Sequence, residues 1–186
     1  MSIIDEIRAS LPRYESFRET FAAWDDGAIN EEKLDTALWM LAGRAVSDEE
    51  QAGRLPDPVV HYYASRLMEW EVGNGGFAQV AYNIPEWFEA AARGYDAIGH
   101  APAAKRIRES SVMARRDQGV FGRLRRIGAG IGSIFEAFKA SPLDSLASDL
   151  DDIGWWATSD RLKYALSHRE SFLAADSHDS VPQSRQ

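Results

Sequence analysis

The stretch Glu69-Trp70-Glu71-Val72-Gly73-Asn74-Gly75-Gly76-Phe77-Ala78 constrains the fold more than any other part of the chain. One helix-patterned run enters Gly-Asn-Gly-Gly, and a second, Phe77-Ala78-Gln79-Val80-Ala81-Tyr82-Asn83, leaves it. Glycine and asparagine enter the left-handed backbone region cheaply, so this stretch predicts a helix C-cap and a tight reversal. Conformationally demanding glycines need no ligand to explain them, which favours a structural corner over a ligand site. On that reading Gly75 and Gly76 take positive φ, where a Cβ costs roughly 1–2 kcal/mol.

The periodicity around the corner is helical almost throughout. Phe17, Phe21 and Trp24 mark a helix closed by Asp25-Asp26-Gly27, and Asn30 caps a second with Leu34, Ala37, Leu38 and Leu41 on its apolar face. Ser47-Asp48-Glu49-Glu50 has capping-box spacing and predicts a short helix. Pro56-Asp57-Pro58 opens a longer one bearing Val59, Tyr63, Leu67 and Trp70. Pro85 suits the first turn of a helix that buries Trp87, Phe88, Ala91, Tyr95 and Ile98, and Ala101 to about Arg116 reads as the next. From Phe121 to Phe138 apolar residues keep helical spacing across Gly128, Gly130 and Gly132. Each glycine weakens a helix by roughly 1 kcal/mol, so a frayed or kinked segment is expected. Ser141-Pro142-Leu143-Asp144 restarts the pattern, Leu162 to Leu173 carries the last one, and Asp176 to Gln186 is a polar tail expected to be disordered. No run alternates with period two. The expectation is an all-α protein, one globular domain over residues 1–175 with roughly eight to ten helices.

The 186 residues include six Trp, eight Phe and six Tyr, enough for a packed core. There is no cysteine, which excludes disulfides, thiolate metal sites and cysteine nucleophiles. Met1 to Glu6 lacks the marks of a signal peptide, and no apolar run approaches the roughly 20 residues of a transmembrane span. A soluble cytoplasmic protein is expected.

The net charge of −8 is unevenly spread. Residues 1–100 hold 18 Asp/Glu against 8 Lys/Arg, residues 101–140 hold 3 against 9, and residues 141–186 hold 8 against 4. An acidic first half disfavours direct DNA binding, which rests on neutralising phosphates, and it attracts basic partners. Asp25, Asp26, Glu31, Glu32, Asp35, Asp48, Glu49 and Glu50 form the candidate acidic surface, although carboxylates at helix starts also serve the macrodipole. Arg115, Arg116, Arg123, Arg125 and Arg126, beside Lys105, Arg106 and Arg108, form the candidate basic patch. A core-facing helix with a solvated basic face is the preferred reading of residues 105–138. The alternatives are contact with membrane or nucleic acid, or pairing with the acidic half.

Catalytic chemistry finds no pattern. Gly128-Ala129-Gly130-Ile131-Gly132 lacks the spacing and preceding strand of a dinucleotide loop. His61, His100, His168 and His178 form no metal-ligand spacing, and Asp149, Asp151 and Asp152 lack the EF-hand glycine and glutamate. Glu69 and Glu71 point to different helix faces, and no serine lies in a G-x-S-x-G elbow. No catalytic residue, metal or cofactor is therefore assigned, and a non-enzymatic protein is expected, with an unrecognised enzyme as the alternative.

Glu71, Val72, Asn74, Gly75, Gly76, Phe77 and Gln79, with Asn83 and a helix ending in Ile98-Gly99, resemble the signature of a bacterial all-helical family named after acidic DNA-mimic proteins. The resemblance is good over residues 56–113 and looser over 143–173. It implies an all-helical fold and binding to a basic partner, a DNA-binding regulator or a nuclease toxin. Glu71, Asn74, Gly75, Gly76, Phe77, Gln79 and Asn83 are the signature positions, read here as mainly structural. A mimic needs carboxylates at phosphate-like intervals on one surface, and the basic block runs against that. Homodimerisation is left open.

Overall fold

The computed structural model describes residues 14–46, 53–148 and 150–176. Among them are eight α-helices and no strand, which makes the fold all-α. They are α1 (Phe17–Asp25), α2 (Glu31–Val46), α3 (Asp57–Asn83), α4 (Phe88–Ala97), α5 (Ala101–Arg126), α6 (Ile131–Ala140), α7 (Thr158–Ser167) and α8 (Arg169–Ala175). Single 3-10 turns occur at Pro85–Trp87, Asp144–Ala147 and Asp151–Ile153. The predicted helix at Ser47 to Glu50, and the tail beyond Asp176, lie outside the described residues.

The chain divides into two compact units, Met1–Tyr63 with Thr158–Gln186, and Ala64–Ala157; the boundary falls within α3. In the first unit Phe172 of α8 is the hub of the core. The rings of Phe17, Phe21 and Tyr62 meet it edge-on at 5.3, 6.0 and 5.7 Å, a favoured aromatic geometry. Side chains from opposite ends of the chain cap α1. Ser16 Oγ accepts from Glu19 N–H at 3.1 Å, while the Asp176 carboxylate accepts from Phe17 and Arg18 N–H at 2.8 and 2.9 Å. Three of the four N–H groups that a helix start leaves open are thus satisfied. Asp176 therefore belongs to the folded unit and not to the polar tail in which its sequence neighbours placed it.

In the second unit α4 and α5 form the closest-packed helix pair, with Ala91, Ala92, Ala103 and Ala104 all buried between larger residues. Trp155 fills the centre, stacked on Tyr95 at 5.1 Å and met edge-on by Phe77 at 5.3 Å. The Tyr95 hydroxyl donates to the Trp155 carbonyl at 2.9 Å.

Helix α5 extends ten residues beyond the end expected at about Arg116. Gly119 and Gly122 weaken it locally, but Phe121, 1% exposed, anchors its last turns against Tyr82 and Phe138. The expected frayed segment is a defined turn. Ile127 N–H, Gly128 N–H and Ala129 N–H return to the Arg123, Arg125 and Leu124 carbonyls at 3.0, 3.2 and 3.0 Å. Gly128 takes φ 59°, the left-handed residue of a Schellman cap. α6 then folds back along α5, with Phe138 against Phe121 at 5.8 Å and Ser141 Oγ donating to Asp117 Oδ2 at 2.6 Å. Those two serine contacts, the second accepted from Leu143 N–H at 3.2 Å, lead into 3-10 turns where a regular helix was expected.

Candidate functional site

The glycine corner is a kink inside α3, because helix is assigned on both sides and only Gly75 and Gly76 leave helical geometry. Gly76, at φ 69° and ψ −174°, occupies a region open essentially to glycine alone. Gly75, at φ −168°, is extended, so the expected positive φ there is corrected. What demands glycine at position 75 is a neighbour. A Cβ there would collide with the Gln79 amide, standing 3.0 Å from its Cδ and 3.1 Å from its Cβ.

Polar side chains make hydrogen bonds on and across the kink. Asn74 Nδ2 donates to the Trp70 carbonyl at 2.9 Å. Glu71 Oε2 accepts from Gln79 Nε2 at 2.9 Å and from Asn83 Nδ2 at 2.8 Å. One carboxylate before the kink thereby ties down two amides after it, and charge-assisted bonds of this kind are the stronger class. Phe77, fully buried, holds the second segment to Trp155. Glu71, Gln79 and Asn83 thus brace the two segments across the kink.

The corner also forms one wall of an open cleft of about 470 Å³. Phe135 and Lys139 of α6, Asp144 and Trp156 supply the facing walls, with Phe135 half exposed and Trp156 at 53%. The Trp156 indole N–H donates to Asp151 Oδ1 at 2.6 Å, and its ring lies 3.4 Å from where a Cβ on Gly73 would stand. Among the described residues no group of three or more His, Asp or Glu side chains could hold a metal ion. The histidines are dispersed: Nδ1 of His61 meets the Tyr164 hydroxyl at 3.2 Å, Nδ1 of His168 the Tyr164 carbonyl at 2.9 Å, and His100 the Tyr95 ring. The cleft had no sequence signal beyond its glycines, since its other walls come from distant segments.

Of the acidic candidates, Asp25 and Asp26 end α1 while Glu31 and Glu32 begin α2, and all four are exposed. Asp25 Oδ2 pairs with Arg169 at 2.7 Å. Lys163, held above its usual pKa by its hydrogen bond and charge interaction with Asp160, also feels Glu31, so this acidic turn has cations beside it. Asp35 is a correction. It is 4% exposed, accepts the Tyr62 hydroxyl at 2.6 Å and stands 3.6 Å from Nε of Arg161, itself fully buried. It is a core ion pair and offers nothing to a partner. Asp48, Glu49 and Glu50 lie outside the described residues.

Arg115, Arg116, Arg123, Arg125 and Arg126 are all exposed on α5, whereas Arg106 is part-buried and donates to the Leu146 carbonyl at 2.7 Å. At about 100° per residue, Arg115, Arg116, Arg123 and Arg126 fall on a single arc of about 100°. None of these four has an ion-pair partner among the described residues. Arg125 lies off that arc, with its guanidinium over the Tyr82 ring at 5.9 Å.

No helix of the described residues is long and apolar enough to cross a membrane. A sequence model of the family described as DMP19-like protein matches residues 53–170. Searches of curated proteins and of solved structures returned no match. Residues 53–170 carry fifteen Asp/Glu and fifteen Lys/Arg, so the net −8 arises entirely outside the matched stretch.

Proposed function

The chain belongs to the DMP19-like protein family, and we propose from that membership that it is a non-enzymatic protein-binding module that engages a basic, DNA-binding partner through an acidic surface. The observation that carries the reading is the α1–α2 turn. There Asp25, Asp26, Glu31 and Glu32 stand exposed within eight residues, on two helix ends fixed by the Asp26 and Asn30 caps. Asn30 Oδ1 accepts from Lys33 N–H at 3.0 Å, which sets the direction of α2 and with it the two glutamates. The turn lies outside the matched stretch, and on this reading it is the part that would give the chain its partner. Exposed carboxylates of this kind steer encounter with a basic surface more than they hold it afterwards.

The test is capture on the immobilised full chain from the source-cell lysate, followed by binding of the recombinant captured protein to wild type and to D26N/E31Q/E32Q. The expected partner is a DNA-binding protein, retained at low salt, released as salt rises, and bound more slowly by the variant. Equal association rates for wild type and variant would remove the acidic turn from the function.

A further inference from the structure

The α5–α6 hairpin plays no part in that reading, and its tip combines two features that a solvated structural turn does not need. The first is apolar exposure. Ile127 is 67% exposed and Ile131 73%, the highest values among the exposed large hydrophobics, with Val120 at 54% and Phe135 at 50% on the adjoining helix faces. Beyond Phe121 and Phe138 no residue of the hairpin is buried, so the tip stands clear of the core. The second is charge. Residues 118–135 contain Arg123, Arg125 and Arg126 and no acid. The flanking acids are Asp117, which accepts the Ser141 hydroxyl, and Glu136, 3.5 Å from Lys139. Cations in the last turn of α5 favour its macrodipole, but Arg115 and Arg116 lie well back from that turn and share the same arc.

From this juxtaposition we propose that the hairpin tip is a peripheral membrane-docking element. In it Ile127 and Ile131 enter the interface of an anionic bilayer, while the α5 arginines contact lipid phosphates. Aliphatic side chains ringed by arginine match a surface that is apolar below and anionic above. A second copy of the same face would set arginine against arginine. Single-stranded nucleic acid would gain nothing from two isoleucines, because bases stack on aromatic rings. The Schellman cap at Gly128 fixes the short turn that has Ile127 at one end and Ile131 at the other, both exposed.

The experiment is co-sedimentation of the full chain with vesicles of phosphatidylglycerol and phosphatidylcholine and with vesicles of phosphatidylcholine alone. The chain has no cysteine, so S133C carries a single environment-sensitive fluorophore next to the tip. The expected result is partition onto the anionic vesicles with a blue-shifted emission. I127S/I131S and R123Q/R126Q should each weaken partition by about tenfold, with unchanged circular dichroism. Four outcomes would overturn the proposal: no partition of folded protein at low salt; partition indifferent to I127S/I131S; a blue shift without vesicles that grows with protein concentration, which would mean self-association; or tighter binding of a single-stranded oligonucleotide that the isoleucine changes do not affect.

Discussion

Gln79 donates from Nε2 to Glu71 Oε2 at 2.9 Å across the break that Gly75 and Gly76 make in α3. The same Gln79 side chain fills the space that a Cβ on Gly75 would need. One glycine, one amide and one carboxylate are therefore a single device: the missing Cβ admits the amide, and the amide ties the carboxylate.

That coupling gives a measurable signature. G75A should displace Gln79 and cost about 1–2 kcal/mol, the value of a hydrogen bond to a charged group at a part-exposed site. In a Q79A background the same change should cost less, with a coupling of at least about 0.5 kcal/mol in a double-mutant cycle. G76A, strained by φ 69° itself, should cost about 1–3 kcal/mol in either background. Denaturant titration of the five variants checks this, and strictly additive losses for G75A and Q79A would refute the device.

Asp35 predicts a stability effect. D35A removes the Asp35 carboxylate from beside the fully buried Arg161 guanidinium and takes an acceptor of the Tyr62 hydroxyl with it, and should cost about 3–5 kcal/mol. D26N, exposed at the end of α1, should fall within about 0.5 kcal/mol of wild type. Unfolding midpoints in urea decide it; an equal, small effect for both would place Asp35 at the surface after all.

Asp176 supplies the third prediction. D176A removes the acceptor of two α1 N–H groups and should cost about 1–2 kcal/mol, as for other N-terminal caps. Hydrogen exchange should speed at Phe17 and Arg18. Unchanged protection at those two amides would show that Ser16 alone secures α1.

What the sequence made readable was whatever depends on neighbours along the chain. The cap at Asn30, the helical spacing of Phe17 and Phe21, and the presence of a break at Gly75-Gly76 are local, and they stand in the structure. What it hid depends on partners far away. Asp176 reads as the start of a polar tail because its role is set 158–159 residues away. Asp35 was grouped with the surface carboxylates, yet it shares a helical face with Leu38 and Ala42, both fully buried, and that spacing was the available signal. The end of α5 was misplaced because the helix was stopped at about Arg116 and the pattern at Phe121 was read as separate, whereas Phe121, buried against Tyr82 and Phe138, carries one helix through to Arg126. At the candidate site the break in the helix was readable, whereas the brace of Glu71, Gln79 and Asn83 needed three dimensions.

The central claim is that the acidic turn occupies the surface with which a basic partner meets DNA. The most direct measurement is competition, with the captured partner and a labelled duplex that it binds, titrated with the full chain at fixed salt. The account predicts mutually exclusive binding: the chain displaces the duplex, D26N/E31Q/E32Q displaces it less well, and no species containing all three components forms. A stable ternary complex of chain, partner and duplex would contradict it.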